Sequence, residues 1–158
     1  MRYSNIYKND TAAAPGISVS VYLQGCPHRC YKCFNPETWE FDGGKIFTPE
    51  VLEDIIKALT ANGIQRKLSI LGGEPLCQEN LFLTYMIIQE VKKRLPNIEI
   101  YIWTGYLYED LIKNKNPKLQ HILDTIDCLI DGPYVDDLRN ITLQMRGSSN
   151  QRIIYLKK

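Results

Sequence analysis

No apolar run in this chain approaches the roughly 20 residues that a membrane-spanning helix requires. Its opening residues, MRYSNIYKND, lack the apolar core of a signal peptide. The expected location is therefore the cytoplasm, where thiols are kept reduced. Neither sign of charge is in excess: 19 Lys and Arg stand against 18 Asp and Glu, and a net charge of +1 offers no footprint for nucleic acid or an anionic membrane. The one basic run inside the chain, Lys92-Lys93-Arg94, falls where a helix should end and is explained by the helix dipole. Repeats, low-complexity tracts and interdomain linkers are missing too. The 158 residues suffice for one domain, 1–158, with a hydrophobic core of its own. Cysteines are few and odd in number, five, which argues against a disulfide framework.

What is present is an alternation of apolar runs and helical segments. Residues 17–25, ISVSVYLQG, alternate apolar and small residues and predict a strand. A helix follows, with Thr48 as its N-cap, Pro49 in its first position and Gly63 at its end. Val51, Leu52, Ile55, Ile56 and Leu59 give it one apolar stripe. Strands are expected at 67–71, 98–103, 128–132 and 151–156. A second helix covers 80–96, and a weaker one covers 108–124, broken near Pro117. This order implies an α/β fold with a mostly parallel sheet and right-handed crossovers. Four unusual loops, the cysteine loop, GGEP, TGY and DGPY, then follow the C-terminal ends of four strands. Open α/β sheets and α/β barrels both assemble their sites along that edge.

The stretch GCPHRCYKCFNPETW places Cys26, Cys30 and Cys33 in eight positions. Three local thiols fall short of the four ligands of a structural zinc site, and His28 lies too close in sequence to both flanking cysteines to complete a tetrahedron with them. A distant fourth ligand, His121, Cys77 or Cys128, keeps the zinc reading open. A four-iron cubane held by three thiolates keeps one iron free, whereas an electron-transfer ferredoxin has all four positions filled by protein. Cys128, in DCLIDG, reads as a small buried hydrophobe, Cys77 less clearly so. His28 reads as a solvated loop residue, and DGGK at 42–45 as a turn. In GGEP, Gly72 and Gly73 permit close backbone approach to a ligand, although a plain tight turn explains them equally well on their own.

The spacing C-x3-C-x2-C after a first strand is the radical S-adenosylmethionine signature. Beyond that superfamily, almost the whole chain resembles the anaerobic ribonucleoside-triphosphate reductase-activating proteins. The resemblance is carried by GCPHRCYKCFNPETW (with Asn35 and Trp39), GGEP, WTGY, LIDGPY and the tail RGSSNQRII at 146–154. It implies a partial, incomplete β/α barrel of radical SAM type, since a full (β/α)8 barrel takes about 250 residues. It further implies a [4Fe-4S] cluster on Cys26, Cys30 and Cys33, with S-adenosylmethionine at the open iron. Gly72, Gly73 and Glu74 would then hold the methionine amino group. Adenine contacts would come from backbone near Lys32, Cys33 and Phe34, although many superfamily members carry an aromatic residue where Lys32 stands. Thr104, with Gly105 and Tyr106, either touches the cofactor or forms a strand-to-helix turn.

The activity implied is reductive cleavage of S-adenosylmethionine to methionine and a 5′-deoxyadenosyl radical. That radical would take hydrogen from a glycine Cα of the reductase large subunit, with reduced flavodoxin as the electron donor. Asp131, Gly132 and Pro133 either shape the cleft floor or form a turn; Asn150, Gln151 and Arg152 either meet the partner or brace the cluster loop. Three alternatives stand beside this reading: an activase of another glycyl-radical enzyme such as a formate-lyase, a small-molecule radical enzyme, and a zinc-binding structural module.

Overall fold

The computed structural model describes residues 1–157. Strand β1 (Arg2–Asp10) leads into β2 (Ser18–Leu23), and the short β3 (Lys45–Ile46) precedes α1 (Pro49–Leu59). Next come β4 (Lys67–Gly72), α2 (Gln78–Arg94), β5 (Ile100–Trp103), α3 (Tyr108–Lys113) and α4 (Pro117–Thr125). Strands β6 (Cys128–Asp131) and β7 (Arg152–Tyr155) complete the chain. The expected break at Pro117 is where α3 and α4 separate.

All seven strands form one sheet in the order β3-β1-β2-β4-β5-β6-β7. The expectation of a mostly parallel sheet needs correction. β2, β4, β5 and β6 pair in parallel, but β1 lies antiparallel to both β2 and β3, and β7 lies antiparallel to β6. Parallel neighbours need a helical crossover, and only the four central strands have helices between them. The fold is therefore mixed α/β. β1 escapes prediction because it is half-exposed along its length, so its sequence shows no clean apolar alternation.

Helix α1 stops at Leu59, four residues before Gly63; Ala61–Gly63 is a separate 3-10 turn. Arg66, 5% exposed, ties down the chain beyond this end: its backbone N donates to Leu59 O, and its Nη1 is directed at the carbonyls of Ala58, Ala61 and Ile64. Thr48 occupies the N-cap position without a side-chain capping bond.

Alternation along the strands separates two faces. Ile100, Ile102 and Leu129 join Ile55, Leu59, Leu83, Ile87, Leu111 and Ile122 in the main core, so all four helices pack on one face. Tyr101, Cys128 and Ile130 face the other way, covered by Ala14, Trp103, Met145 and Ile153 rather than by any helix. Cys128 is fully buried there, as expected of a small hydrophobe. The helix-free face is left open toward the C-terminal ends of the parallel strands, and the four unusual loops meet at that edge. Among the described residues no helix is long and apolar enough to cross a membrane.

Candidate functional site

The cysteine loop leaves β2 at Gln24 and is fixed at its root by backbone bonds. Gly25 N donates to Thr38 O (2.7 Å) and Cys26 N to Trp39 O (3.0 Å), which closes residues 26–37 into a compact excursion. Within it Arg29 and Lys32 take left-handed backbone conformations, and Cys33 N donates to Cys30 O at 3.0 Å. These turns bring the three thiols, all free, to one side. Cys26, Cys30 and Cys33 line a cavity of about 130 Å³ together with Gly72, Gly73, Glu74, Thr104 and Gly105. Of the remaining expected residues, Phe34 lines a neighbouring cavity of about 470 Å³ that shares Cys33, Asn35, Leu71, Trp103, Tyr134 and Gln151 with the first. The Lys32 side chain enters neither cavity; it reaches outward, and its Nζ donates to Asp136 Oδ2 at 2.9 Å.

The thiols sit among backbone amides. Burial pushes the Cys26 thiol up to about 11, opposed by amide bonds from His28 and, further down, Arg29. Burial raises Cys30 as well, opposed by an amide bond from Tyr134. Asn35 N donates to Cys33 Sγ at 3.3 Å. Amides aimed at sulfur suit thiolates bound to iron, whose charge they help to carry. Among the described residues no group of three or more His, Cys, Asp or Glu side chains is gathered to hold a single ion.

The loop after β4 approaches the cysteine loop so closely that side chains are excluded. A Cβ on Gly73 would lie 2.4 Å from Gly25 O, and Gly73 N and Glu74 N donate to Leu23 O and Gly25 O. A feature absent from the sequence reading completes this junction. Asn80, 4% exposed on the first turn of α2, directs its Nδ2 at the carbonyls of Gln24, Gly25 and Glu74, at 3.0–3.1 Å.

His28 is not the solvated residue expected. Its side chain is 20% exposed and its Nε2 lies 2.8 Å from Glu74 Oε2. A carboxylate only accepts, so Nε2 carries the proton. Thr104 also spends its hydroxyl inside the protein, donating to Glu74 Oε1 at 2.8 Å and accepting from Tyr106 N.

The tail at 146–154 braces the loop after β6. Gln151 accepts from the amides of Gly147 and Ser148 and donates to Gly132 O, and Asn150 donates to Pro133 O. The buried Asp131 accepts from Arg152 and from Tyr108 N, and Arg152 also pairs with Glu109. These bonds fix Tyr134, whose ring meets Phe34 of the cysteine loop at 5.0 Å between centroids.

A family model described as a 4Fe-4S single cluster domain matches residues 12–154. The chain is 35% identical to the anaerobic ribonucleoside-triphosphate reductase-activating protein of Salmonella typhimurium over 158 residues, 99% of this chain and 100% of that protein. The protein of the same name in Escherichia coli K12 is 34% identical over 158 residues, 99% of this chain and 100% of its own length. That of enterobacteria phage T4 is 35% identical over 153 residues, 97% of this chain and 93% of its own.

Proposed function

The chain belongs to the anaerobic ribonucleoside-triphosphate reductase-activating proteins and carries a 4Fe-4S single cluster domain; from that premise we propose that it activates such a reductase by generating a glycyl radical on its large subunit. The observation that carries the proposal is the set of three free thiols in one loop, turned to a cavity whose opposite wall is Gly72 and Gly73. Three soft donors with amides facing their sulfurs fit a thiolate-ligated cluster, and their number leaves one iron for an exchangeable ligand. When bound, the cluster supplies the electron that cleaves S-adenosylmethionine into methionine and a 5′-deoxyadenosyl radical, which takes a hydrogen atom from a glycine Cα.

The protein's share is placement. Cys26, Cys30 and Cys33 hold the cluster, and the backbone of Gly72 and Gly73 takes the methionine end of the cofactor. The larger cavity, walled by Phe34, Leu71 and Trp103, takes the adenosyl end. Its floor is the helix-free face of the sheet, which supports reading the fold as an incomplete β/α barrel of radical SAM type whose open side admits a loop of the partner. A cytoplasmic setting with reduced flavodoxin as donor belongs to the same proposal. The alternatives of another glycyl-radical partner or a small-molecule substrate share this chemistry and differ only in what enters the open side.

The test is anaerobic. Reconstituted, reduced protein given S-adenosylmethionine is expected to release methionine and 5′-deoxyadenosine in equal amounts. A fully reduced cluster that yields neither, with an anaerobic reductase present, contradicts the proposal.

A further inference from the structure

Glu74 is 1% exposed, and each of its carboxylate oxygens already has two donors. Oε1 accepts from Leu76 N at 2.9 Å and Thr104 Oγ1 at 2.8 Å. Oε2 accepts from Gly105 N at 2.7 Å and His28 Nε2 at 2.8 Å. A carboxylate offers about four lone-pair sites, so none remains for an incoming ammonium group. Three of the donors belong to the loops after β4 and β5. Only His28 comes from the cysteine loop, from between Cys26 and Cys30.

The imidazole is held on its other sides as well. It meets the Tyr106 ring edge-on with centroids 4.6 Å apart, and it lies against Gly105, where a Cβ would come within 2.6 Å of the ring. The backbone bonds that join the GGEP loop to the chain leaving β2 end at Gly25, before the first cysteine. Among the described residues, the His28 bond is the one side-chain hydrogen bond from residues 26–33 to the GGEP loop.

We propose that His28 is a positioning residue that sets, through Glu74, where the cluster-bearing loop stands relative to the loops after β4 and β5, and that Glu74 is a structural hub rather than a ligand to the cofactor. This rests on the reading of Cys26, Cys30 and Cys33 as cluster ligands. Breaking the bond leaves a buried carboxylate short of a donor and frees the loop between two ligands. Partners that orient a metal ligand are typically worth about 10–100-fold in metal affinity.

The experiment compares wild type with His28→Phe and His28→Gln after anaerobic reconstitution. Phe keeps a ring against Tyr106 and Gly105 but donates nothing; Gln carries an amide donor at a similar reach. Two quantities are read: the rate of iron loss to EDTA, and the S-adenosylmethionine concentration that half-converts the electron paramagnetic resonance signal of the reduced cluster. H28F is expected to lose iron about tenfold faster and to need about tenfold more S-adenosylmethionine, and H28Q to recover most of both. H28F within twofold of wild type, or H28Q no better than H28F, overturns the inference alone. Wild-type protein that takes up no cluster overturns the ligand reading and this inference together. If H28F fails to fold, the comparison of H28Q with His28→Ala decides between donor and packing on the same two readouts.

Discussion

Cys30→Ala is expected to reduce S-adenosylmethionine cleavage by the reconstituted protein to background, and Cys26→Ala and Cys33→Ala to do the same. Each of the three thiols lines the cavity shared with Gly72 and Gly73, and the loop carries no spare cysteine. Cys77 and Cys128 are buried elsewhere, at 2% and 0% exposure, Cys128 at the start of β6 in register with Tyr155 of β7. Losing one ligand opens a second iron to solvent, so iron content per chain should fall together with cleavage. Cys128→Ala is the matched control. It removes a small buried group at a cost of about 1 kcal/mol and should leave iron content and cleavage unchanged. Cleavage retained in Cys33→Ala would remove that residue from the ligand set.

The second large effect is expected at a residue outside the cysteine loop. Asn80→Asp replaces an amide donor with a carboxylate that faces the carbonyl oxygens of Gln24, Gly25 and Glu74. Three bonds become three repulsions in a buried site. The cluster-free protein should lose about 3 kcal/mol or more in denaturant unfolding, against roughly 1–2 kcal/mol for Asn80→Ala, which only leaves acceptors unpaired. Because Gln24 and Gly25 are the stem of the cysteine loop, Asn80→Asp should also reconstitute poorly. An N80D protein as stable as wild type to within about 0.5 kcal/mol would mean that the junction between β2, the GGEP loop and α2 is held by other contacts.

The difference between these two positions marks what the sequence makes legible. The thiols announce themselves because their chemistry depends on local spacing, and the parallel strands do so because both of their faces are covered. A glycine pair at the end of β4 is visible as a break in the apolar pattern. Asn80 leaves no such mark: a polar residue in a helix's first turn looks solvated until α2 docks on the sheet and turns it toward the carbonyls of the stem. His28 is hidden for the same reason, since its partner lies 46 positions away and the pocket that receives its ring exists only because residue 105 is glycine. Glu74 was legible as a site residue but not as one whose lone pairs the protein itself fills. β1, which lies inside the sheet between β3 and β2, and the edge strand β7 pair antiparallel through connections without α-helices, which apolar periodicity does not encode.

One measurement bears most directly on the claim that this protein makes a glycyl radical on a reductase. The reduced, cluster-loaded protein is mixed anaerobically with S-adenosylmethionine and an anaerobic ribonucleoside-triphosphate reductase, and the mixture is frozen for electron paramagnetic resonance. The expected result is a doublet from the reductase, split by its remaining glycine α-hydrogen, which collapses toward a singlet when the reductase carries α-deuterated glycine and is absent with the Cys30→Ala protein. The contradicting result is steady production of 5′-deoxyadenosine and methionine with no organic radical on the reductase, which would assign the cluster chemistry to a different substrate.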